Sequence, residues 1–117
     1  MLVDNEPDII TIFTRGLAGY GFVVIGYTDP IQALSHFKSG VYAAVLLDYK
    51  MPEMDGFTLY EKMALLDSKP KYILMTAGDY KEKTRQSNPE MAGVRFIQKP
   101  VRMTRLAMEI LNIISDA

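Results

Sequence analysis

The sequence predicts an α/β domain in which a doubly wound, five-stranded parallel sheet carries helices on both faces. Short β-rich runs alternate with helical patterns from one end of the chain to the other, the signature of a helix-covered parallel sheet. The third run, Tyr42 to Leu47, is almost continuously apolar, as a central strand buried on both faces must be and an alternating edge strand is not.

The elements follow in order. Met1 to Val3 forms the first strand. A helix comes next, with Pro7 in its first turn and Ile9, Ile10, Ile12, Phe13 and Leu17 at helical spacing, until Gly19 and Gly21 stop it. Phe22 to Tyr27 is the second strand. Asp29 is the N-cap of the second helix, Pro30 its N1 residue, and Gly40 lies beyond its end. After the third strand, Asp55 and Gly56 start a helix with Phe57, Tyr60, Met63, Ala64 and Leu66 on one side. Ser68 to Pro70 is a turn, and Lys71 to Met75 the fourth strand. Asp79 to Asn88 carries almost no apolar residue except Tyr80 and reads as a short, exposed helix. Val94 to Gln98 is the fifth strand, Lys99-Pro100 a break, and Met103 to Ile114 an amphipathic helix with Met103, Ala107, Ile110 and Ile114 on its stripe.

Bulk properties bound the function. At 117 residues, the chain suits one domain spanning 1–117, and no repeat or linker divides it. Its composition, 49% hydrophobic and 23% charged, is that of an ordinary folded chain. A net charge of −1 and no basic cluster argue against nucleic-acid contact. The chain has no cysteine, which excludes disulfides and thiolate metal sites and fits a reducing compartment, so the cytoplasm is expected. No apolar run approaches the ~18 residues of a membrane span, and the N-terminus lacks the pattern of a signal peptide.

Ligands of open parallel sheets bind at the carboxyl ends of the strands. Here the first strand ends in Asp4-Asn5-Glu6, the third in Asp48, the fourth in Thr76-Ala77-Gly78 and the fifth in Lys99-Pro100. Brought together, Asp4 and Asp48 would repel, and a divalent cation with oxygen ligands, Mg²⁺ first of all, would relieve them. Lys99 and the Thr76 hydroxyl would then meet the oxygens of a phosphoryl group, with Asp48 as nucleophile.

Four fragments, V-D-N-E-P-D, L-L-D-Y-K-M-P-E-M-D-G, I-L-M-T-A-G and F-I-Q-K-P, occur in that order over essentially the whole chain. Together they resemble the receiver domain of two-component response regulators. The resemblance implies a flavodoxin-like three-layer α/β/α fold with strand order 2-1-3-4-5. It implies transfer of a phosphoryl group from a phosphohistidine on a histidine kinase or phosphotransfer protein to Asp48, and a changed binding face for an output partner. By the same match Asp4, Asn5, Asp48 and the Lys50 backbone carbonyl form the Mg²⁺ pocket. Thr76 is the switch hydroxyl, with Ala77 beside it, Lys99 binds phosphate, Phe96 is the switch aromatic, and the bond before Pro100 is cis. A homodimer through the Asp79–Asn88 segment, the fifth strand and the last helix also belongs to these expectations.

The chain departs from the family pattern at several places. Asn5 stands where a second metal-binding acid is usual, removing one negative charge, and Lys50 adds a positive one nearby. Weak Mg²⁺ binding is therefore expected, with Lys50 partly replacing the cation or shielding the acyl phosphate from water. The first strand is short, and Phe96 replaces the commoner Tyr. An alternative reading, favoured by Asn5, is a receiver-fold binding module that is never phosphorylated. An aspartate-nucleophile phosphatase needs a second acid two residues after the nucleophile, where Lys50 stands, so no enzymatic turnover beyond the domain's own phosphorylation and dephosphorylation is expected. His36 reads as a surface or satisfied structural imidazole, and Gly16 to Gly21 as a helix stop, not a nucleotide loop.

Overall fold

Among the described residues the elements follow one another as β1 (Leu2–Val3), α1 (Pro7–Ala18), β2 (Gly26–Tyr27), α2 (Pro30–Ser35), β3 (Ala44–Asp48), α3 (Gly56–Leu66), β4 (Lys71–Thr76), β5 (Arg95–Gln98) and α4 (Met103–Ser115). They come from a computed structural model that describes residues 1–77 and 94–115. The expected helix over Asp79 to Asn88 lies outside the described residues. The sheet runs β2-β1-β3-β4-β5 with every pairing parallel, as the family resemblance implies.

Because strand side chains alternate between faces, the two central strands divide the core in two. Val45, Leu47, Tyr72 and Leu74 pack with Ala33, Leu59 and Met63 of α2 and α3. Leu46, Ile73 and Met75 pack with Phe13 and Leu17 of α1 and with Leu106, Ala107 and Ile110 of α4. β3 is buried over all but its first residue, as its continuous apolar pattern requires.

The helix starts are as the sequence reads. The Asp29 carboxylate accepts from the Ile31 N–H at 2.9 Å with Pro30 behind it, and the Asp55 carboxylate accepts from the Thr58 N–H at 2.7 Å. Pro7 opens α1, Asp8 and Arg15 sit at the ends that the helix dipole favours, and Gly21, past its end, takes a φ of +91°.

Several boundaries differ. β2 covers only Gly26–Tyr27, not Phe22 to Tyr27, because β1 offers only Leu2 and Val3 to pair with it. α2 stops at Ser35, so Gly40, at φ +81°, shapes the loop after it and is not the helix stop. On α1, Ile12 points outward while Phe13 and Leu17 are buried, since position 12 is a quarter-turn off the stripe. On α3 the buried residues are Gly56, Leu59 and Met63, whereas Leu66 is exposed. The Lys99-Pro100 bond is cis. His36 caps α2, its Nδ1 2.9 Å from the Gln32 carbonyl and its ring stacked on Tyr27 at 5.7 Å. No helix among the described residues is long and apolar enough to cross a membrane.

Candidate functional site

Register brings the acids together. Val3 lies opposite Leu47 on the neighbouring strand, so Asp4 and Asp48 leave the sheet side by side. On the other side of β4, Thr76 pairs with Gln98, and the next residue, Lys99, donates its backbone N–H to the Thr76 carbonyl at 2.6 Å. From there the Lys99 ammonium donates to Asp4 Oδ2 at 2.8 Å and to Asp48 Oδ1 at 3.2 Å. One lysine thus bridges the two carboxylates at the carboxyl edge of the sheet, with Asp4 fully buried and Asp48 nearly so.

The surrounding loops fix these atoms. The second oxygen of Asp4 accepts the Glu6 N–H at 3.0 Å, turning the chain into α1. The Tyr49 N–H donates to the Met75 carbonyl, and the Gly56 N–H to the Tyr49 carbonyl, both at 2.8 Å, so the loop after Asp48 folds back on itself. Gly56 must be glycine there: an added Cβ would strike the Asp48 carbonyl oxygen and crowd Leu74.

Asn5, Glu6, Asp48, Lys50, Ala77 and Lys99 line one open cavity of about 500 Å³, with Met51 and Pro52 along its wall. Thr76 is buried at the end of β4. Phe96 is not at the cavity; it lies opposite Leu74 within the sheet and packs against the core shared with α2 and α3. Two members carry more than their sequence pattern shows: Glu6, the third residue of the acidic strand end, lines the cavity, and Gly56, a helix start and turn residue in the loop that leaves the site, packs against the Asp48 carbonyl.

Burial first, and then the charge of Asp4, push the Asp48 carboxyl above the usual carboxylate range; Lys99 opposes this and Glu6 adds to it. For Lys99, burial acts downward, but the hydrogen bond and charge of Asp4, followed by Asp48, leave its ammonium above the ordinary value. At Asp48, burial and the Asp4 charge together outweigh the compensation from Lys99. Among the described residues no three carboxylates or imidazoles form a ready metal cage. Even so, the donors on offer, two carboxylates with the Asn5 amide next to Asp4 in the chain and the Lys50 carbonyl two residues after Asp48, are all hard oxygens, the type a divalent cation takes.

A family model for the response regulator receiver domain matches residues 1–111, which takes in all of these positions. The chain belongs to that family. Hybrid signal transduction histidine kinase B of Dictyostelium discoideum is 27% identical over 96% of this chain. The cyclic di-GMP phosphodiesterase response regulator RpfG of Xanthomonas campestris pv. campestris is 33% identical over 78% of it. The match covers only 6% and 24% of those two proteins, respectively. Among solved structures, a CheY-like receiver domain protein from Methanospirillum hungatei superposes with a TM-score of 0.85 at 23% identity, covering 98% of this chain and 92% of that one. The non-phosphorylated HemR receiver domain from Leptospira biflexa gives 0.86 at 20%, covering 99% and 93%. The protein is a receiver domain of two-component signalling, a class of modules that interact with histidine kinases or phosphotransfer proteins.

Proposed function

We propose that Asp48 of this receiver accepts a phosphoryl group from the phosphohistidine of a histidine kinase or phosphotransfer protein and that the modified domain presents a changed binding face. The observation that carries this reading is the Lys99 ammonium held between Asp4 and Asp48. Lys99 occupies one Asp48 oxygen, and among the described residues the other oxygen has no hydrogen-bond partner. That oxygen attacks phosphorus as the P–N bond of the donor breaks, the electron pair staying on the ring nitrogen; with the donor's other ring nitrogen protonated, neutral imidazole is left behind. Lys99 is then in place to compensate the charge on the phosphoryl oxygens.

Asp4, Asn5, Asp48 and the Lys50 carbonyl would hold Mg²⁺, which when bound supplies positive charge to the same oxygens. Thr76 and Ala77 would receive the phosphoryl group at the end of β4, and a movement there would reach Phe96 through the β4–β5 pairing. The hydroxyl-free ring of Phe96 then makes that coupling depend on packing. The residues 1–117 act as one domain in the cytoplasm, with no turnover beyond gain and loss of the phosphoryl group and no nucleic-acid contact of their own. Self-association would use β5, α4 and the 79–88 segment.

A never-phosphorylated binding module is the second reading, and Asn5 is the residue that favours it. Incubation with acetyl phosphate and Mg²⁺ followed by intact mass distinguishes them. The phosphoacceptor gains one phosphoryl group, and Asp48→Asn gains none. No gain on the wild type, together with partner binding unchanged in Asp48→Asn, selects the module.

A further inference from the structure

At the far end of the sheet from Asp48, Lys69, Lys71 and Arg95 line a single cleft of about 250 Å³ walled by Tyr60, Pro70 and Tyr72. Lys71 starts β4, whose carboxyl end borders the Asp48 site, so the two places are about 17 Å apart along that strand. Three cations line this one cleft, with the Asp67 carboxylate, on which Lys69 acts, behind it. Neither Lys69 nor Lys71 meets a carboxylate in an ion pair among the described residues.

The cleft is held in shape from behind. The Asp67 carboxylate faces the backbone, accepting the Gly40 N–H at 2.8 Å and the Lys69 N–H at 3.0 Å. The Tyr72 hydroxyl donates to the Asp67 carbonyl at 2.6 Å, and the Tyr60 ring meets that of Tyr72 edge-on at 5.1 Å. The loop carrying Lys69 is therefore pre-ordered, which lowers the entropy lost on binding.

Beside the cleft, the last turn of α3 leaves Leu65 89% and Leu66 57% exposed. An apolar centre with a polar rim is the anatomy of a protein-docking surface. The cleft is too small to enclose a nucleotide-sized ligand. We infer that this surface, formed by the end of α3, the Ser68–Lys71 segment and Arg95, docks a partner-protein segment carrying carboxylates and an apolar anchor. Its position makes it a constitutive contact, present whether or not Asp48 is modified, and it does not depend on the phosphoacceptor reading.

The test is a titration of the ¹⁵N-labelled chain with a synthetic twelve-residue peptide of Glu, Asp and Leu, followed by amide shifts. The expected result is shifts confined to Ala64–Tyr72 and Arg95, weakened about ten-fold by Lys69→Glu with Lys71→Glu and by added salt. Leu65→Ser with Leu66→Ser weakens binding too, and Asp48→Asn leaves it unchanged. Shifts elsewhere, or the same affinity in the charge-reversed variant, overturn the assignment. So does equal affinity for inorganic phosphate or a DNA duplex, which would make the cleft a general anion site. Should the double variant unfold, Lys69→Gln, at an exposed loop position, decides the matter by a loss of roughly three-fold or none.

Discussion

Asp48 and Asp67 are equally buried, each 7% exposed, yet their carboxyls shift in opposite directions. Asp67 is met by the backbone N–H groups of Gly40 and Lys69, fixed donors that stabilise its charged form and hold it below the usual range. Asp48 is desolvated beside Asp4, and its one donor among the described residues, Lys99, is shared with that neighbour. Burial alone therefore does not mark a functional acid. A carboxylate met by fixed donors braces a loop, while one desolvated beside a second carboxylate favours added positive charge.

Substitution at the two positions gives the largest expected contrast. Asp48→Asn abolishes phosphoryl uptake measured by intact mass, whereas Asp67→Asn retains it. Next comes Gly56→Ala, which connects the regions by forcing a Cβ against the Asp48 carbonyl. It should destabilise the fold by about 1–3 kcal/mol in urea melts, because backbone, not a flexible side-chain end, must give way.

Stability against pH then separates the two acids by sign. The Asp67 carboxyl is lowered in the folded state, so its contribution is present above the ordinary value of 3.8 and is lost as pH falls through the folded pKa. Asp67→Asn should lower the urea midpoint at neutral pH and flatten the acid limb. The Asp48 carboxyl is raised, so its contribution favours folding at low pH and is lost as pH rises through the folded pKa. Asp48→Asn should therefore raise the midpoint at neutral pH, the usual relation between a functional acid and stability. A midpoint that falls in both variants would erase the contrast.

Much of this was legible in the chain because it is written locally. Asp29-Pro30 and Asp55-Gly56 announce helix starts through their own side chains, and β3 shows its central place by having no polar face. Asp4, Asp48 and Lys99 could be grouped because each ends a strand, and parallel strands end together. What was not legible depends on distant partners. Phe22 to Ile25 have the composition of a strand but lie beyond the two residues of β1 that pair with β2. The need for glycine at position 56 comes from a carbonyl eight residues earlier, brought back by the loop. The opposite shifts of Asp48 and Asp67 reflect burial beside Asp4 in the one and the backbone N–H groups of Gly40 and Lys69 in the other, and neither Asp4 nor Gly40 is a sequence neighbour of the acid it acts on.

A smaller effect is expected from Asn5→Asp. It restores a negative charge at the cavity wall, close to where Asp48 already lacks compensation, and should tighten Mg²⁺ binding by calorimetry, since hard-cation affinity follows ligand charge. Unchanged affinity would mean that Asn5 is not part of the cation pocket.

The smallest expected change is at Lys50, whose position on the same cavity wall as Asp48 and Lys99 gives the site a second cation. An ammonium there can lie over the phosphoryl oxygens and impede the line of an attacking water, or it can only add charge. Lys50→Ala removes both effects and Lys50→Met only the second. If shielding dominates, the phosphorylated form should decay faster in Lys50→Ala, by about two- to five-fold on the scale of a rim-exposed charge, and near the wild-type rate in Lys50→Met. If charge dominates, both variants should decay alike and should take up phosphate more slowly at low Mg²⁺. Equal lifetimes and equal uptake in all three proteins would remove Lys50 from the site and leave Lys99 as its working cation.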